Sequence, residues 1–314
     1  MIDFQFQNRR EFLKYTAGCG LMLYGLNTDA HNEFLSNKEL TELQILYTND
    51  QHSRIEPFPS NDAKYPNEGG FAKRASIIEK YRNNFKNVLL LDAGDIFQGT
   101  PYFNFYQGEI EYKLMSLMGY DATTFGNHDF DLGVENILKQ MPHANFDFIN
   151  SNYNFSDTAL NKNTKIKPYK IFKKQNLKIG VYGVGIELNG LVSENNCKNI
   201  QYLNPINEAN KIEHILKHDE KCDYIICLSH LGYKYESNKV SDTELAKKTN
   251  YTNLIIGGHT HTFLENLVEI ENLSKNITYI TQVGWAGIWL GSIKVTFTTN
   301  KKIFLQNNTN HKVF

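Results

Sequence analysis

Gly126-Asn127-His128-Asp129-Phe130-Asp131 decides how this chain is read. The run sets an amide, an imidazole and two carboxylates after a single glycine. A short segment, Asp121 to Thr124, leads straight into it, so the polar side chains stand where a strand gives way to a loop. The same arrangement recurs along the chain. Glu42 to Thr48 reads as a buried strand and runs into Asp50-Gln51-His52. Asn87 to Leu91 is a short apolar run that delivers Asp92 and then Gly94-Asp95. Cys222 to Leu228 ends at Ser229-His230, and Asn253 to Ile256 ends at Gly258-His259-Thr260-His261. Five of the ten histidines fall inside these five motifs. Ligands at the carboxyl ends of strands are where an open α/β sheet builds a site.

The remaining pattern fills in the frame. Phe71, Ala75, Ile78 and Tyr81 recur at helical spacing and predict a helix over 71–85. Further helices are predicted over 106–118, 132–140 and 206–218, and a strand over 146–149. Residues 151–168 are rich in Asn, Ser and Lys and read as a loop. Tyr169 to Phe172 and Leu177 to Val184 read as a hairpin, and the chain ends β-rich over 278–282, 288–297 and 302–305. No internal repeat and no Pro- or Gly-rich linker interrupts this order, which predicts one domain over 41–314.

Composition narrows the class. The chain has 314 residues, with 33 basic against 34 acidic side chains and a net charge of −1. That balance offers no basic field for nucleic acid, and no run of 18 apolar residues exists to span a membrane. Asn8-Arg9-Arg10-Glu11-Phe12-Leu13-Lys14, followed by a modest apolar stretch from Tyr15 to Leu26, resembles a twin-arginine export signal. Residues 1–30 are therefore expected to be a leader, and the mature chain to work in a bacterial periplasm. Beyond Cys19 only Cys197, Cys222 and Cys227 remain, an odd set that forms no disulfide framework and reads as buried or free thiols.

The motif residues carry nitrogen and oxygen donors and no thiolate. Two divalent ions, Mn, Zn, Fe, Co or Mg, suit such a set, and the donors do not choose among them. A two-metal hydrolytic site needs a bridging carboxylate, and Asp95, beside Gly94, is the best placed. Asp50 with His52, and His259 with His261, are expected on one side of extended segments, each pair two residues apart. His230 adds a nitrogen, and Asn127 a neutral amide that can meet a metal or the substrate. Asp131 can orient His128 and hold it cationic, or cap the helix predicted from Leu132. His214 and His218 have the spacing of a helical zinc pair but lie opposite the apolar face of Ile206, Ala209, Ile212, Ile215 and Leu216, so they read as surface residues.

LYTNDQHSRIE at 46–56, LLLDAGDIFQGTP at 89–101, YDATTFGNHDFDLG at 120–133, LSHLG at 228–232, GGHTHT at 257–262 and QVGWAGIWLG at 282–291 resemble the metallophosphatase domain of the 5'-nucleotidase family. That family includes UDP-sugar hydrolases and 2',3'-cyclic phosphodiesterases and belongs to the calcineurin-like phosphoesterases. The resemblance implies a four-layered α/β/β/α sandwich. It implies one metal on Asp50, His52, Asp95 and His261, and a second on Asp95, Asn127, His230 and His259. It makes His128 and Asp131 the catalytic dyad of an in-line attack by a metal-bound water on a small phosphate ester, above all a nucleotide.

Family members usually carry a second domain that grips the base and supplies arginines for the phosphate; this chain has no arginine after Arg82. Arg54 alone lies beside a metal motif, and it reads either as a substrate contact or as half of a surface ion pair. The leading expectation is a free-standing nucleotidase-like phosphoesterase. The alternatives are a catalytic subunit served by a separate nucleotidase C-terminal-domain protein, a sulfur-oxidation hydrolase on the same fold, and a non-catalytic metal-binding scaffold.

Overall fold

The computed structural model describes residues 40–314; the expected leader at 1–30 lies outside them. Two large sheets carry the chain. The strands are β1 (Thr41–Thr48), β2 (Val88–Asp92), β3 (Ala122–Thr123), β4 (Asp147–Ile149), β5 (Tyr153–Asn154), β6 (Ile166–Lys167), β7 (Tyr169–Lys174), β8 (Leu177–Gly185), β9 (Gln201–Tyr202), β10 (Tyr224–His230), β11 (Leu254–Gly257), β12 (Val268–Glu271), β13 (Ile277–Thr281), β14 (Trp289–Phe297) and β15 (Ile303–Lys312). The first sheet has the order β15-β14-β1-β2-β3-β4-β6, the second β12-β13-β11-β10-β8-β7, and β5 pairs with β9 alone. The middle of each large sheet is parallel, and antiparallel strands finish β14 and β15 on one sheet and β7 and β12 at the edges of the other.

Side chains along a strand alternate between its faces, and both faces of each sheet are covered. Leu43, Ile45 and Tyr47 of β1 and Leu89 and Leu91 of β2 meet Val181, Ile226, Leu228 and Ile256 of the other sheet in a core between the two. The alternate residues Leu46, Val88 and Leu90 turn away, against Phe71, Ile78, Tyr112 and Met115 of helices α1 (Phe71–Asn84) and α3 (Glu109–Met118). On the far side Tyr182, Ile225, Cys227 and Ile255 pack on Ala209, Ile212 and Leu216 of the helix at 205–219 and on Leu245. The result is the expected α/β/β/α sandwich, and β1, β2 and β10 are apolar runs because each is buried on both faces.

Several elements depart from the sequence reading. The helix predicted over 106–118 begins only at Glu109, as α3, and a short unpredicted helix, α2 (Pro101–Tyr106), precedes it; Gln107 at φ 55° and Gly108 at φ 104° separate the two. A Cβ on Gly108 would collide with the Phe97 ring, so only glycine turns the chain there. Residues 151–168 are not wholly loop, since they contain β5 and β6. After α4 (Gly133–Gln140) and α5 (Pro205–His214) comes an unanticipated helix, α6 (Asp242–Lys248). Its signal was present: Ser241 caps it and accepts from the Glu244 N–H at 3.4 Å, with serine and glutamate at capping-box spacing. α5 continues as a wider π turn over Ile215–Asp219, and His214 and His218 face solvent as expected.

Among the described residues Cys197, Cys222 and Cys227 form no disulfide. Among the described residues no helix is long and apolar enough to cross a membrane.

Gly108→Ala is expected to lower unfolding stability by about 1–3 kcal/mol, through a left-handed backbone and overpacking on Phe97. Urea denaturation checks it; an unmoved midpoint would mean that the α2–α3 corner relaxes freely.

Candidate metal centre

Every metal-type motif lies just past the carboxyl end of a central parallel strand. β1 delivers Asp50 and His52, β2 Asp95, β3 Asn127 and His128, β10 ends in His230, and β11 precedes His259 and His261. The two sheets bring these ends to one place. Asp95 Oδ2 lies 3.1 Å from His230 Nε2 and 3.9 Å from His52 Nε2. Asp50 Oδ1 lies 3.3 Å from His261 Nε2 and 3.9 Å from both His52 Nε2 and His230 Nε2. His52 Nε2 and His261 Nε2 face each other at 3.0 Å, and His259 Nδ1 is 2.8 Å from Asn127 Oδ1.

Two groups able to hold an ion result, Asp50 with His52 and His261, and Asp95 with His230 and His259. Asn127 joins the second through His259. All seven ligand positions expected from sequence therefore converge, with Asp95 between the two groups.

The expected local geometry does not hold. Asp50 and His52 are not on an extended segment, since both have φ 48°. Asp95 has φ 56°, His259 73° and His261 51°. These residues sit in left-handed turns that non-glycine residues adopt at a cost. Cross-loop hydrogen bonds hold the turns: the Asp50 N–H donates to Gly94 O at 2.9 Å, and the His52 N–H to Asp95 O at 3.0 Å.

Asp129, which the sequence reading left without a role, organises this crossing. Its carboxylate accepts from the N–H groups of Gly126 (2.8 Å), Asp95 (3.1 Å), Ile96 (3.0 Å) and Phe97 (3.3 Å), so it ties the second motif to the third. Gly126 lies so close to Asp95 that a Cβ there would collide with Asp95 Oδ1. Asp92 is a second unforeseen support, accepting from Thr48 Oγ1 (2.6 Å), Gln51 Nε2 (2.7 Å) and the Gly94 N–H (2.9 Å). The signal for both was an extra carboxylate inside a ligand motif.

The donor chemistry fits divalent cations. His230 Nδ1 donates to Ala93 O at 2.7 Å, which directs Nε2 toward Asp95, and that Nε2 is buried without a hydrogen-bond partner. Burial lowers His52, and burial takes His259 down to about 4, so both imidazoles are neutral and offer lone pairs at pH 7. Burial alone would also lower His230, but the negative charge of Asp95, 3.1 Å from Nε2, outweighs it and pushes it up to about 10. Burial would raise Asp95 too, yet His230 holds it below the usual carboxylate range. The centre thus calls for positive charge next to Asp95, which a cation supplies.

His128 stands at the rim. Its Nδ1 donates to Asp131 Oδ2 at 2.8 Å, and its ring centroid is 5.4 Å from that of His52. The bond to Asp131 raises the His128 pKa, more than burial lowers it. Asp131 does not cap α4, whose N-cap is Leu132 with no side-chain bond, so of its two expected roles the structure shows the one toward His128.

Arg54 is partly exposed, and its guanidinium lies 4.2 Å over the Phe58 ring. Among the described residues no carboxylate lies within ion-pair distance of it, and its Nε has no hydrogen-bond partner. Arg74 is fully buried and donates to Gln51 Oε1, while Arg82 lies 3.8 Å from Asp121.

Two back-to-back sheets with a paired carboxylate–imidazole centre at their shared strand ends define a metallophosphatase-type fold. The profile of the calcineurin-like phosphoesterases matches residues 43–263, and the chain belongs to that family. It is 36% identical over 236 residues to the snake venom 5'-nucleotidase of Gloydius brevicauda, an alignment covering 71% of this chain and 37% of the venom protein. The 5'-nucleotidase precursor from Thermus thermophilus superposes with a TM-score of 0.79 at 26% identity, over 87% of this chain and 55% of that one. The Bacillus subtilis calcineurin-like phosphoesterase YfkN shares the fold, with a TM-score of 0.71 at 24% identity over 88% of this chain and 92% of that one. The chain spans about a third to a half of the length of the curated relatives that match it first, from 37% to 51%.

Asp129→Ala is expected to destabilise the fold by roughly 3 kcal/mol or more, because it strips several buried N–H groups of their acceptor at once. Asp129→Asn, which keeps one acceptor oxygen, should lose less. Equal, small losses for both variants in urea unfolding would show that this carboxylate braces nothing.

Proposed function

We infer that this chain hydrolyses phosphate esters, with nucleotides as the substrate class, through two divalent ions and the His128–Asp131 pair. The observation that carries the reading is the convergence of two carboxylates, four imidazoles and the Asn127 amide beside a carboxylate-paired histidine. Asp50, His52, Asp95 and His261 would hold one ion, and Asp95, Asn127, His230 and His259 the other. Together such ions polarise a phosphoryl group and make water a nucleophile near neutral pH. The 5'-nucleotidase relatives above 30% identity favour nucleotide esters over sulfur compounds.

The chain's own residues supply the rest. Asp131 fixes the His128 ring and favours its cationic form. His128 then stabilises the developing phosphoryl charge and gives its proton to the leaving oxygen, so that ester and water become alcohol and phosphate. Arg54, a cation with no ion-pair partner among the described residues, is the arginine available to a substrate phosphate, since Arg74 is buried and Arg82 faces Asp121. With one such arginine, a separate polypeptide carrying a recognition domain is the second reading. The proposal includes export to a periplasm by the twin-arginine route, on the strength of Arg9-Arg10.

Loaded with manganese, the chain is expected to release phosphate from AMP, and His128→Ala to lower kcat by on the order of 100-fold or more while still binding two ions. A variant as active as the parent ends the role of His128. Absence of phosphate release from a chain that holds two ions, restored by an added recognition domain, would move the reading to the two-chain form. Stripping the ions with a chelator should lower Tm, and elemental analysis of the loaded chain should give two per polypeptide. A metal-independent Tm, or one ion per chain, contradicts the assigned ligand sets.

A further inference from the structure

Beside the His261 edge of the centre lies an aromatic group that neither the metal chemistry nor the main core uses. The Trp285 ring is parallel to the His261 ring, 7° between planes and 5.6 Å between centroids. It meets His52 edge-on at 6.4 Å and Phe58 edge-on at 5.8 Å. Phe58 in turn lies under the Arg54 guanidinium. Trp285 belongs to a small satellite cluster with Phe58, Tyr65, Phe263, Ala286 and Ile288, apart from the three large cores. It remains partly exposed, beside a His261 side chain that is 40% exposed.

The backbone on both sides of the indole is tied down. The Ala286 N–H donates to Asp50 O at 2.7 Å, the Val283 N–H to Asn49 Oδ1 at 2.9 Å, and Asn49 Nδ2 to Gly284 O at 2.6 Å. Both sides of Trp285 are thus fastened to the loop that carries Asp50. Ala286 holds φ 56°, a backbone that alanine does not favour, and this loop keeps the indole at the centre's rim despite that. A large, pre-positioned and partly wet aromatic surface next to a polar centre is how proteins hold flat aromatic ligands, because stacking tolerates any base and little order is lost on binding.

The geometry points to Trp285 as an aromatic-base subsite on this chain: the leaving group of the ester, a nucleoside, packs its base against the indole while its phosphate sits at the two-ion centre. The inference rests on the phosphoesterase reading and extends it, since it places substrate recognition on the catalytic chain itself. Phosphate esters with an aromatic ring are then preferred over esters of the same sugar without one.

The test compares AMP with ribose 5-phosphate on the full manganese-loaded chain. Trp285→Ala should lower kcat/KM for AMP by on the order of tenfold more than it lowers kcat/KM for ribose 5-phosphate, chiefly through KM, and Trp285→Phe should restore part of the preference. The chain holds two tryptophans, so in a Trp289→Phe background the indole fluorescence of Trp285 reports binding directly. AMP is expected to quench it and ribose 5-phosphate to leave it unmoved. Equal losses for both esters, or fluorescence indifferent to AMP, would overturn the subsite. If the unsubstituted chain hydrolyses neither ester and an added recognition domain restores nothing, the phosphoesterase reading falls, and the fluorescence titration still decides this one.

Discussion

Two carboxylates removed from water, Asp50 and Asp95, set the terms for everything around them. Each is at most 1% exposed. A buried carboxylate stands only if its charge is met by donors or cations. Both oxygens of Asp50 lie 3.0 Å from the His259 N–H, and Oδ2 accepts from Asn49 Nδ2 at 2.6 Å. Asp95 accepts from the His128 N–H at 2.8 Å and faces His230. The donors to Asp50 from His259 and to Asp95 from His230 come from the opposite sheet. Stacking the two sheets in register is therefore the same event as satisfying these charges, and a slip of one strand would strand a carboxylate without a partner.

The strand-then-ligand rhythm made most of this arrangement legible from sequence. Apolar runs such as LQILY and VLLL ending in polar motifs gave strand positions within a few residues, and the ligands followed from them. The layer order was harder. A strand buried on both faces shows no alternation, so the inter-sheet face of Ile45 and the helix-facing side of Leu46 look alike in sequence, and the sandwich came from family resemblance. α2 was hidden because six residues are too few to show a helical period, and Gly108 alone does not announce a corner; the Phe97 ring beneath it makes it one. Asp129 was legible only in part: an extra carboxylate inside a ligand motif marks it, but its partners are backbone N–H groups, three of them on the loop at 95–97, and sequence does not name those.

The backbone at the ligands explains why the motifs are short and contiguous. Five ligand residues hold positive φ, each a conformation that costs about 1 kcal/mol or more outside glycine. Isolated, such turns would open. Here each ligand loop is braced by another: Asp50 and His52 bond to the Gly94–Asp95 backbone, that backbone bonds to Asp129, and the Asp50 carbonyl receives Ala286. The strain is thus carried collectively, which makes the donors rigid before any ion arrives. A rigid donor set discriminates between ions by geometry as well as by raw affinity.

Exposure divides the centre into two unlike sides. His230 is fully buried, whereas the side chain of His261 is 40% exposed. His128, Asp131, Arg54 and Trp285 are all only partly covered. Groups that hold charge in place are sealed by both sheets, and the groups to which the proposed function gives substrate contact ring the open side. A low-dielectric interior strengthens the electrostatics at Asp95 and His230, while the rim is open to water. The same loops serve both sides: residues 49–54 carry Asp50 inward and Arg54 outward, and residues 283–286 fasten to Asp50 while presenting Trp285. A change in substrate preference can then arise at the rim without loosening the donors beneath it, because the two functions share a backbone anchor but not a side chain.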